Sequence, residues 1–188
     1  QIEYALPQRW ESNDALLADK PDWDMTKIYD KTGVARRYLA APDQTASDLC
    51  VEAAEQLLQS GTVAREEIDA VLLCTQSPDY ALPTSACIIQ DRLRLSRRVA
   101  AFDFNLGCSG FVYGLAIAGS MIEAGLSRNV LLLCGETYTK YIDAHDRTCR
   151  PIFSDAGTAT LIQRSEGGVL GPFELGTDGK GYGDLIVP

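Results

Sequence analysis

An α/β fold with a mostly parallel mixed sheet is the prediction for this chain of 188 residues. Three observations lead to it: short segments that are apolar throughout, longer segments with a helical period that alternate with them, and turn-forming glycines and prolines where the two meet. Strands that are apolar on both faces are typical of parallel sheets covered by helices. Their alternation with helices indicates βαβ units, whose right-handed crossovers make neighbouring strands parallel.

The first two elements of this alternation are a helix over residues 47–60 and a strand over residues 70–74. Leucines and alanines of the helix fall on one face. Thr45 and Asp48 have the spacing of a capping box, and Gly61 stands where a C-terminal cap is expected. The strand reads Ala-Val-Leu-Leu-Cys, and a turn-forming Ser-Pro-Asp follows it closely.

A second helix is predicted from Pro83 to about residue 95, because proline suits the first turn of a helix. The remaining elements continue the alternation, and glycine-rich turns separate the last two. In order they are a strand over residues 98–104, a helix over 109–124 that ends at Gly125, a strand over 129–134, and strands over 157–163 and 168–175.

The composition excludes several classes of protein. Hydrophobic residues make up 46% and charged residues 23%, as in ordinary globular domains. The net charge of −9 argues against nucleic acid or an anionic membrane as the main partner, although Arg92, Arg94, Arg97 and Arg98 form one basic cluster. There is no apolar run of about 20 residues and no signal peptide at residues 1–7, so the prediction is a cytoplasmic protein without membrane contact.

The six cysteines carry neither a metal motif nor a redox motif. None forms a C-x-x-C pair, and no histidine-rich segment lies near them. We therefore predict no metal site, and we interpret most of these residues as buried free thiols.

Cys108 is the exception, because it lies where a predicted strand passes into a predicted helix. The strand ends at Phe104, a short turn contains Gly107, and Cys108 then begins the helix. The unpaired amides and the positive dipole end of a helix favour the thiolate, which is the reactive form of cysteine. A nucleophilic cysteine is one interpretation, and a buried structural cysteine is the other.

The helix after Cys108 has no polar face, and Glu123 is its one charged residue. Such a helix is expected to be buried all round. Gly110, Gly114 and Gly119 indicate close approach by a neighbouring element, since glycine is unfavourable within helices. We therefore expect a second domain or subunit to cover this helix, and we interpret residues 1–188 as a fragment.

The run Ala-Phe-Asp-Phe-Asn-Leu-Gly-Cys-Ser-Gly-Phe at residues 101–111 resembles the nucleophile segment of the β-ketoacyl-acyl carrier protein synthase III family, condensing enzymes of the thiolase fold. Further segments are similar in order and spacing across nearly the whole chain. Residues 31–37 resemble the family's early T-G-I motif, and residues 81–87 resemble its proline-led helix start. Asp146-Arg147 and residues 153–157 resemble its later loop and glycine turn.

The resemblance implies that residues 1–188 are the N-terminal αβα half of an αβαβα sandwich with a thiolase-like fold. It also implies fatty acid biosynthesis by a two-step reaction, in which an acyl group passes to Cys108 and then undergoes decarboxylative Claisen condensation with a malonyl thioester. The implied partners are acyl carrier protein, acyl-CoA or another acyl thioester, and a second copy in a homodimer. Acyl-CoA is a substrate, and no cofactor is implied. The family's catalytic His and Asn lie in the other half, and His145 does not match them.

The resemblance also assigns substrate-binding residues. Arg147 matches an arginine that stacks on the adenine of coenzyme A, but Lys27 occupies the position of the partnering tryptophan, and Trp23 is either a substitute or a core residue. Phe153 matches a residue near the active site, and packing in the core is its alternative. Leu82 matches a residue that reaches across the dimer into the partner's acyl pocket, and packing at a helix start is its alternative.

Other functions stay open at this point. Within the same fold, Cys108 could serve an acyltransferase or a secondary-metabolite synthase, and a hydroxymethylglutaryl-coenzyme A synthase fits the motifs less well. A non-catalytic interaction subunit is an alternative of another class. A nucleotide-binding module is disfavoured, because neither G-x-G-x-x-G nor G-x-x-x-x-G-K-[ST] occurs.

Overall fold

A mixed sheet of five strands forms the centre of the molecule, in the order β1-β7-β6-β4-β5. The computed structural model describes residues 1–168, 170–184 and 186–187. β4 pairs in parallel with β5 and β6, whereas β7 pairs antiparallel with β6 and β1. Four strands therefore run in one direction, which confirms the mostly parallel mixed sheet. The strands are β1 (Ile2–Ala5), β4 (Ala70–Cys74), β5 (Ala100–Phe104), β6 (Asn129–Glu136) and β7 (Ala156–Gln163), and a separate hairpin contains β2 (Trp10–Ser12) and β3 (Arg36–Tyr38).

Helices cover both faces of the sheet and give three layers. One face packs against α3 and α4, and the other against α5. The helices are α1 (Asn13–Asp19), α2 (Met25–Thr32), α3 (Ala46–Gln59), α4 (Ser85–Arg92) and α5 (Gly110–Glu123). The αβα half predicted from the sequence is thus present.

The two faces of β4 and β6 explain why these strands are apolar throughout. Val71 and Leu73 belong to the core under α3 and α4, whereas Leu72 and its register partner Leu132 belong to the core under α5. All five residues of β4 are buried. Side chains alternate across a strand, so a strand with helices on both sides must be apolar at every position.

The predicted helix at residues 47–60 is confirmed as α3. The Thr45 hydroxyl accepts from the Asp48 backbone N–H, and the Asp48 carboxylate accepts from the Thr45 N–H, so the capping box is complete. Gly61 follows with φ of +76°, a conformation that favours glycine.

The second predicted helix is shorter than expected. α4 begins at Ser85 rather than Pro83 and ends at Arg92. The carboxylate of Asp103, on the neighbouring strand β5, accepts from the backbone N–H groups of Ser85 and Ala86 at 2.6 and 2.7 Å. The cap therefore comes from a distant residue, which local spacing does not reveal.

The ends of other predicted elements also shift. β5 begins at Ala100, two residues later than predicted. β6 extends beyond residue 134 to Glu136. Residues 168 and 170–175 form no strand, and Val169 lies outside the described residues. The strand predicted over residues 168–175 is thus wrong for the part that the structure describes.

One face of α5 is open in this chain, so the expectation of burial all round is not met here. Gly114 lies under the sheet, where an added Cβ would stand 2.6 Å from Leu132 Cδ1. On the opposite side, Phe111 and Val112 are 39% and 44% exposed. An apolar groove of about 480 Å³ runs along this helix, with Leu126 and Leu175 on its rim. Within the described residues, no helix is both long and apolar enough to cross a membrane.

Candidate active site

Cys108 lies in the turn between β5 and α5, at the carboxyl end of the sheet's parallel strands. The helix begins at Gly110 with Ser109 as its N-cap, so Cys108 precedes the helix by two residues. It is exposed, whereas the other five cysteines are buried or partly buried. Cys108 is therefore accessible in this chain, unlike the buried cysteines Cys50 and Cys74.

The turn that carries this thiol contains two backbone amides without a described acceptor. Gly110 N–H donates to Gly107 O at 2.8 Å and closes the turn. Among the described residues, neither Cys108 N–H nor Ser109 N–H finds an acceptor. Unpaired amides at the positive end of a helix stabilise an anion, either a thiolate or the oxyanion that forms when a thiol attacks a carbonyl group.

Two glycines let this turn approach β4 closely. A Cβ on residue 107 would lie 2.9 Å from Gln76 Oε1, and one on residue 110 would overlap the sulfur of Cys74. Cys74 Sγ donates to Leu106 O at 3.1 Å, so its thiol is engaged in holding the turn. The glycine spacing that indicated a neighbouring element is thus explained, near Cys108, by the chain's own sheet.

The other cysteines behind the turn are held as neutral thiols. Burial raises the pKa of the Cys50 thiol far above its ordinary value. A hydrogen bond with Cys74 and, to a smaller extent, burial raise the pKa of the Cys134 thiol. Both lack the exposure that a nucleophile toward a large thioester needs.

Glu136, at the end of β6, organises the loop that follows β4. Its carboxylate accepts from Gln76 N–H at 2.7 Å and from the Ser77 hydroxyl at 2.6 Å. The Ser77 oxygen in turn accepts from Thr137 N–H at 2.8 Å. Burial raises the pKa of Glu136 above its ordinary value. Glu136 therefore fixes the backbone that carries Gln76 toward Cys108.

Asp155 plays a similar part for the loop after β6. This buried carboxylate accepts from Thr139 N–H at 3.0 Å and from Ala40 N–H at 2.8 Å, which joins three distant segments. No pattern in the sequence predicted a role for Glu136 or Asp155. A polar residue directly after or before a buried strand is a weak signal, because many such residues are merely exposed.

Phe153 packs against the tyrosines of the turn Tyr138–Tyr141. The rings of Phe153 and Tyr138 lie 5.2 Å apart, and Tyr141 stands edge-on to Tyr138 at 6.1 Å. These tyrosines line a pocket of about 290 Å³ together with Gln76 and Asn105. Phe153, the residue expected near the active site, therefore lies against the aromatic wall of this pocket. Gln76, which lines the same pocket, contacts the turn before Cys108.

Arg147 is exposed and is held by Asp22. Its Nη2 donates to the Asp22 backbone O at 2.9 Å and to Oδ2 at 2.7 Å. Trp23, beside Asp22, is only 6% exposed and packs with Leu16. Of the two alternatives for Trp23, the structure supports a core residue. The suggestion that Trp23 stacks on adenine is wrong, because its ring is covered.

Leu82 and His145 both project from loops. Leu82 precedes α4 and is 86% exposed, so it does not pack at the helix start. His145 is exposed, and its backbone N–H donates to Asp143 Oδ1 at 2.7 Å. Within the described part of the chain, no three His, Cys, Asp or Glu side chains are grouped so that they could hold a metal ion.

Comparison with known proteins gives a consistent result. Residues 102–179 match the family described as 3-Oxoacyl-[acyl-carrier-protein (ACP)] synthase III. A "Beta-ketoacyl-[acyl-carrier-protein] synthase III" from Caldanaerobacter subterraneus subsp. tengcongensis is 37% identical over 97% of this chain. A crystal structure of a 3-oxoacyl-(acyl-carrier-protein) synthase III is 46% identical over 99% of the chain, with a TM-score of 0.95. The chain belongs to the synthase III family.

This chain spans about half the length of these relatives, 55% of the Caldanaerobacter protein and 56% of the crystallised chain. A priming β-ketosynthase from a polyketide biosynthetic pathway is also similar, with 30% identity and a TM-score of 0.78 over 87% of this chain and 48% of that one. The thiolase-like fold predicted from the sequence is confirmed by these structures.

Proposed function

We propose that this chain is the N-terminal half, residues 1–188, of a β-ketoacyl-acyl carrier protein synthase III-like condensing enzyme with Cys108 as its nucleophile. The observation that carries the proposal is the exposure of Cys108 at a turn with free amides, in a chain of this family. Five other cysteines share the chain, yet none combines exposure with such a position.

The reaction has two balanced steps. The Cys108 thiolate attacks the carbonyl carbon of an acyl thioester, a new C–S bond forms, and the donor leaves as a thiolate that takes up a proton. A malonyl thioester then loses CO₂, and its carbanion attacks the acyl-enzyme. A C–C bond forms as the bond to Cys108 sulfur breaks, which regenerates the thiolate.

The residues of this chain supply the nucleophile and part of the electrostatic environment. Cys108 N–H is free to donate to the oxyanion of the tetrahedral intermediate, and such donors contribute about 100-fold or more to acyl transfer. Phe153 and the pocket beside it are assigned to the acyl group. Arg147 is assigned to the adenine end of coenzyme A, where its exposure leaves it accessible to a ligand.

The remaining machinery is assigned to a C-terminal half. A His and an Asn from that half polarise the malonyl thioester, because this chain holds one histidine and it lies on an exposed loop. The open apolar side of α5 supports this division, since a covering domain would remove Phe111 and Val112 from water.

The donor and the assembly complete the proposal. An acyl-CoA or acyl carrier protein thioester serves as substrate, and a malonyl thioester of acyl carrier protein is the extender. The enzyme works as a cytoplasmic homodimer in fatty acid biosynthesis, with Leu82 entering the partner's acyl pocket. The 86% exposure of this leucine supports the assignment.

A second candidate uses the same cysteine for another product. The similarity to a priming β-ketosynthase of a polyketide pathway favours a secondary-metabolite synthase as the alternative. A further alternative is an acyltransferase that passes the acyl group from Cys108 to an oxygen or nitrogen nucleophile. A condensing enzyme releases CO₂ from malonyl-acyl carrier protein and forms a β-ketoacyl product, whereas an acyltransferase does neither.

The deciding experiment is acylation of the full-length protein. Incubation with acetyl-CoA followed by intact-mass spectrometry should show one added acetyl group, and the Cys108→Ala variant should show none. Cys87→Ala, a change of a partly buried cysteine, is the matched control and should be acetylated like the wild type. A wild-type protein that takes up no acyl group from acetyl-CoA or from the other short acyl-CoA donors described below, or an adduct that persists in Cys108→Ala, refutes the nucleophile.

The homodimer is tested independently. Sedimentation of the full-length protein at micromolar concentration should show a dimer, and Leu82→Asp should weaken it because the charge would have to enter an apolar pocket. A wild-type protein that sediments as a monomer contradicts this part of the proposal alone.

A further inference from the structure

Two side-chain amides lie beside the nucleophile. Gln76 follows β4 and Asn105 follows β5, and these strands are parallel neighbours, so both residues leave the same edge of the sheet. Gln76 Nε2 donates to Asn105 Oδ1 at 3.3 Å. Gln76 Oε1 lies against Gly107, the residue before Cys108. The amide pair is thus in direct contact with the turn that presents the thiol.

These amides have unused hydrogen-bonding capacity. Each amide offers two donor hydrogens and one acceptor oxygen. Within the described residues the two side chains share a single bond, which leaves Asn105 Nδ2 and Gln76 Oε1 without partners. The hydroxyls of Tyr138 and Tyr141 in the same pocket also lack partners among the described residues. Once a second half encloses the pocket, these groups require polar partners, which that half or a ligand can supply.

The charge around the pocket selects a neutral ligand. None of its described lining residues is charged, so a carboxylate on the ligand would find no cation there. The nearest carboxylate in the network, Glu136, is held behind the pocket by Gln76 N–H and the Ser77 hydroxyl. Its negative charge when ionised disfavours anionic acyl groups such as those of dicarboxylic acids.

The part of the pocket that this chain forms is small and suits a short ligand. Its volume is about 290 Å³, at the lower end of the roughly 300–1,000 Å³ typical of small-molecule sites. Tyr138 is wedged between Phe153 and Tyr141, so the aromatic wall is not free to move outward. A long acyl chain would also leave the amides facing methylene groups.

We propose that this pocket selects a short, uncharged acyl group that carries a hydrogen-bonding oxygen, of the 3-hydroxyacyl type, and that Gln76 and Asn105 are the specificity-determining residues. This inference rests on the proposed function, because it assumes that Cys108 becomes acylated. A site that hydrogen-bonds a substrate oxygen discriminates strongly against the analogue in which carbon replaces it, since the amides are then left unpaired.

The test compares two donors that differ at one atom group. Acylation of Cys108 in the full-length protein is followed by mass spectrometry with 3-hydroxybutyryl-CoA and with 3-methylbutyryl-CoA, in which a methyl group replaces the hydroxyl. The hydroxylated donor should react more than about tenfold faster. In the double variant Gln76→Leu and Asn105→Leu, the ratio of the two rates should fall to one or below. Gln59→Leu, at an exposed position of α3, should keep the wild-type ratio.

The outcomes separate this inference from the proposed function. Equal wild-type rates for the two donors overturn the specificity while leaving Cys108 as nucleophile. A double variant that slows acylation by both donors by the same factor also overturns the specificity. The amides would then bind the coenzyme A part that both thioesters share. A wild-type protein that accepts neither donor nor acetyl-CoA refutes the proposed function itself. The wild-type ratio decides the question even where a variant fails to fold.

Discussion

The sulfur of Cys74, at the end of β4, occupies the space that a side chain on Gly110 would need at the start of α5. The same sulfur donates to Leu106 O, within the turn that carries Cys108. The position of the candidate nucleophile thus depends on a contact between a strand end and a helix start that are far apart in the sequence.

Replacing Gly110 by alanine should destabilise the protein and displace Cys108. The added Cβ overlaps Cys74 Sγ, and overpacking of this kind costs about 1–3 kcal/mol of unfolding free energy. Misplacement of the thiol should slow its acylation by up to about 100-fold. Urea denaturation and the acylation rate measure the two effects. Combining Gly110→Ala with Cys74→Ala should restore part of both, and a purely additive double variant would contradict the contact.

Asp103 should be needed for the stability of α4. Its carboxylate binds the first two amides of that helix, and loss of such a cap costs about 2 kcal/mol. Asp103→Ala should therefore lower the free energy of unfolding by about that amount, and Asp103→Asn by less. Asp91→Asn, at an exposed position on the same helix, is the control and should have little effect. Equal effects at the two positions would argue against the cap.

Arg37 should tolerate no substitution, lysine included. Its fully buried guanidinium donates to Pro151 O at 2.7 Å and Asn13 Oδ1 at 2.9 Å, and burial lowers its pKa. Nη1 makes both of these bonds and Nη2 donates to Glu11 O at 3.4 Å, so lysine, with its single nitrogen, does not reach all three acceptors. Arg37→Lys should lower the free energy of unfolding by about 2–3 kcal/mol, because buried acceptors are left unpaired.

The neighbouring exposed arginine provides the control for this change. Arg36 is exposed and its guanidinium lies over the rings of Trp10 and Tyr38 at 5.8 and 5.5 Å, so Arg36→Lys should alter the unfolding free energy by less than about 1 kcal/mol. Chemical denaturation of both variants under identical conditions measures the difference. Similar small effects at positions 36 and 37 would show that the Arg37 hydrogen bonds do not stabilise the fold.

The stability contributed by Glu136 should fall as pH rises. Burial raises the pKa of this carboxyl in the folded protein, so the folded state holds the proton more tightly than the unfolded chain. Its contribution is present below the unfolded pKa of about 4.3 and is lost as pH rises through the folded pKa. Glu136→Gln has no such proton to lose. The unfolding free energy of Glu136→Gln minus that of the wild type should therefore increase from about pH 4 to 7, as urea titrations will show. A decrease over this range contradicts the shift.

Several parts of the fold could be predicted from the sequence because their signals are local. The capping box at Thr45 and Asp48 and the glycine after α3 lie within a few residues of the helix ends that they define. The apolar composition of β4 already required cover on both faces. Cys108 could be singled out because its neighbours along the chain form the turn between strand and helix in which it lies.

Other parts could not be predicted, because their partners lie far away in the chain. The start of α4 is set by Asp103 on β5, and a proline at position 83 gave the wrong boundary. β1 was missed altogether, since this strand of four residues is an edge strand with one buried side chain. The amides of Gln76 and Asn105 come together only where parallel strands end at the same edge.

By itself, the sequence determined the alternation of strands and helices from α3 to β7, the family and the identity of the candidate nucleophile, because periodicity, caps and motifs are written in adjacent residues. The tertiary structure alone decided that Cys108 is exposed while Cys74 and Trp23 are buried. It also decided that Gln76 binds both Asn105 and Glu136 and lies against Gly107, in the turn before Cys108. Burial and hydrogen-bond pairing depend on which distant segments pack together, and a local pattern does not specify that.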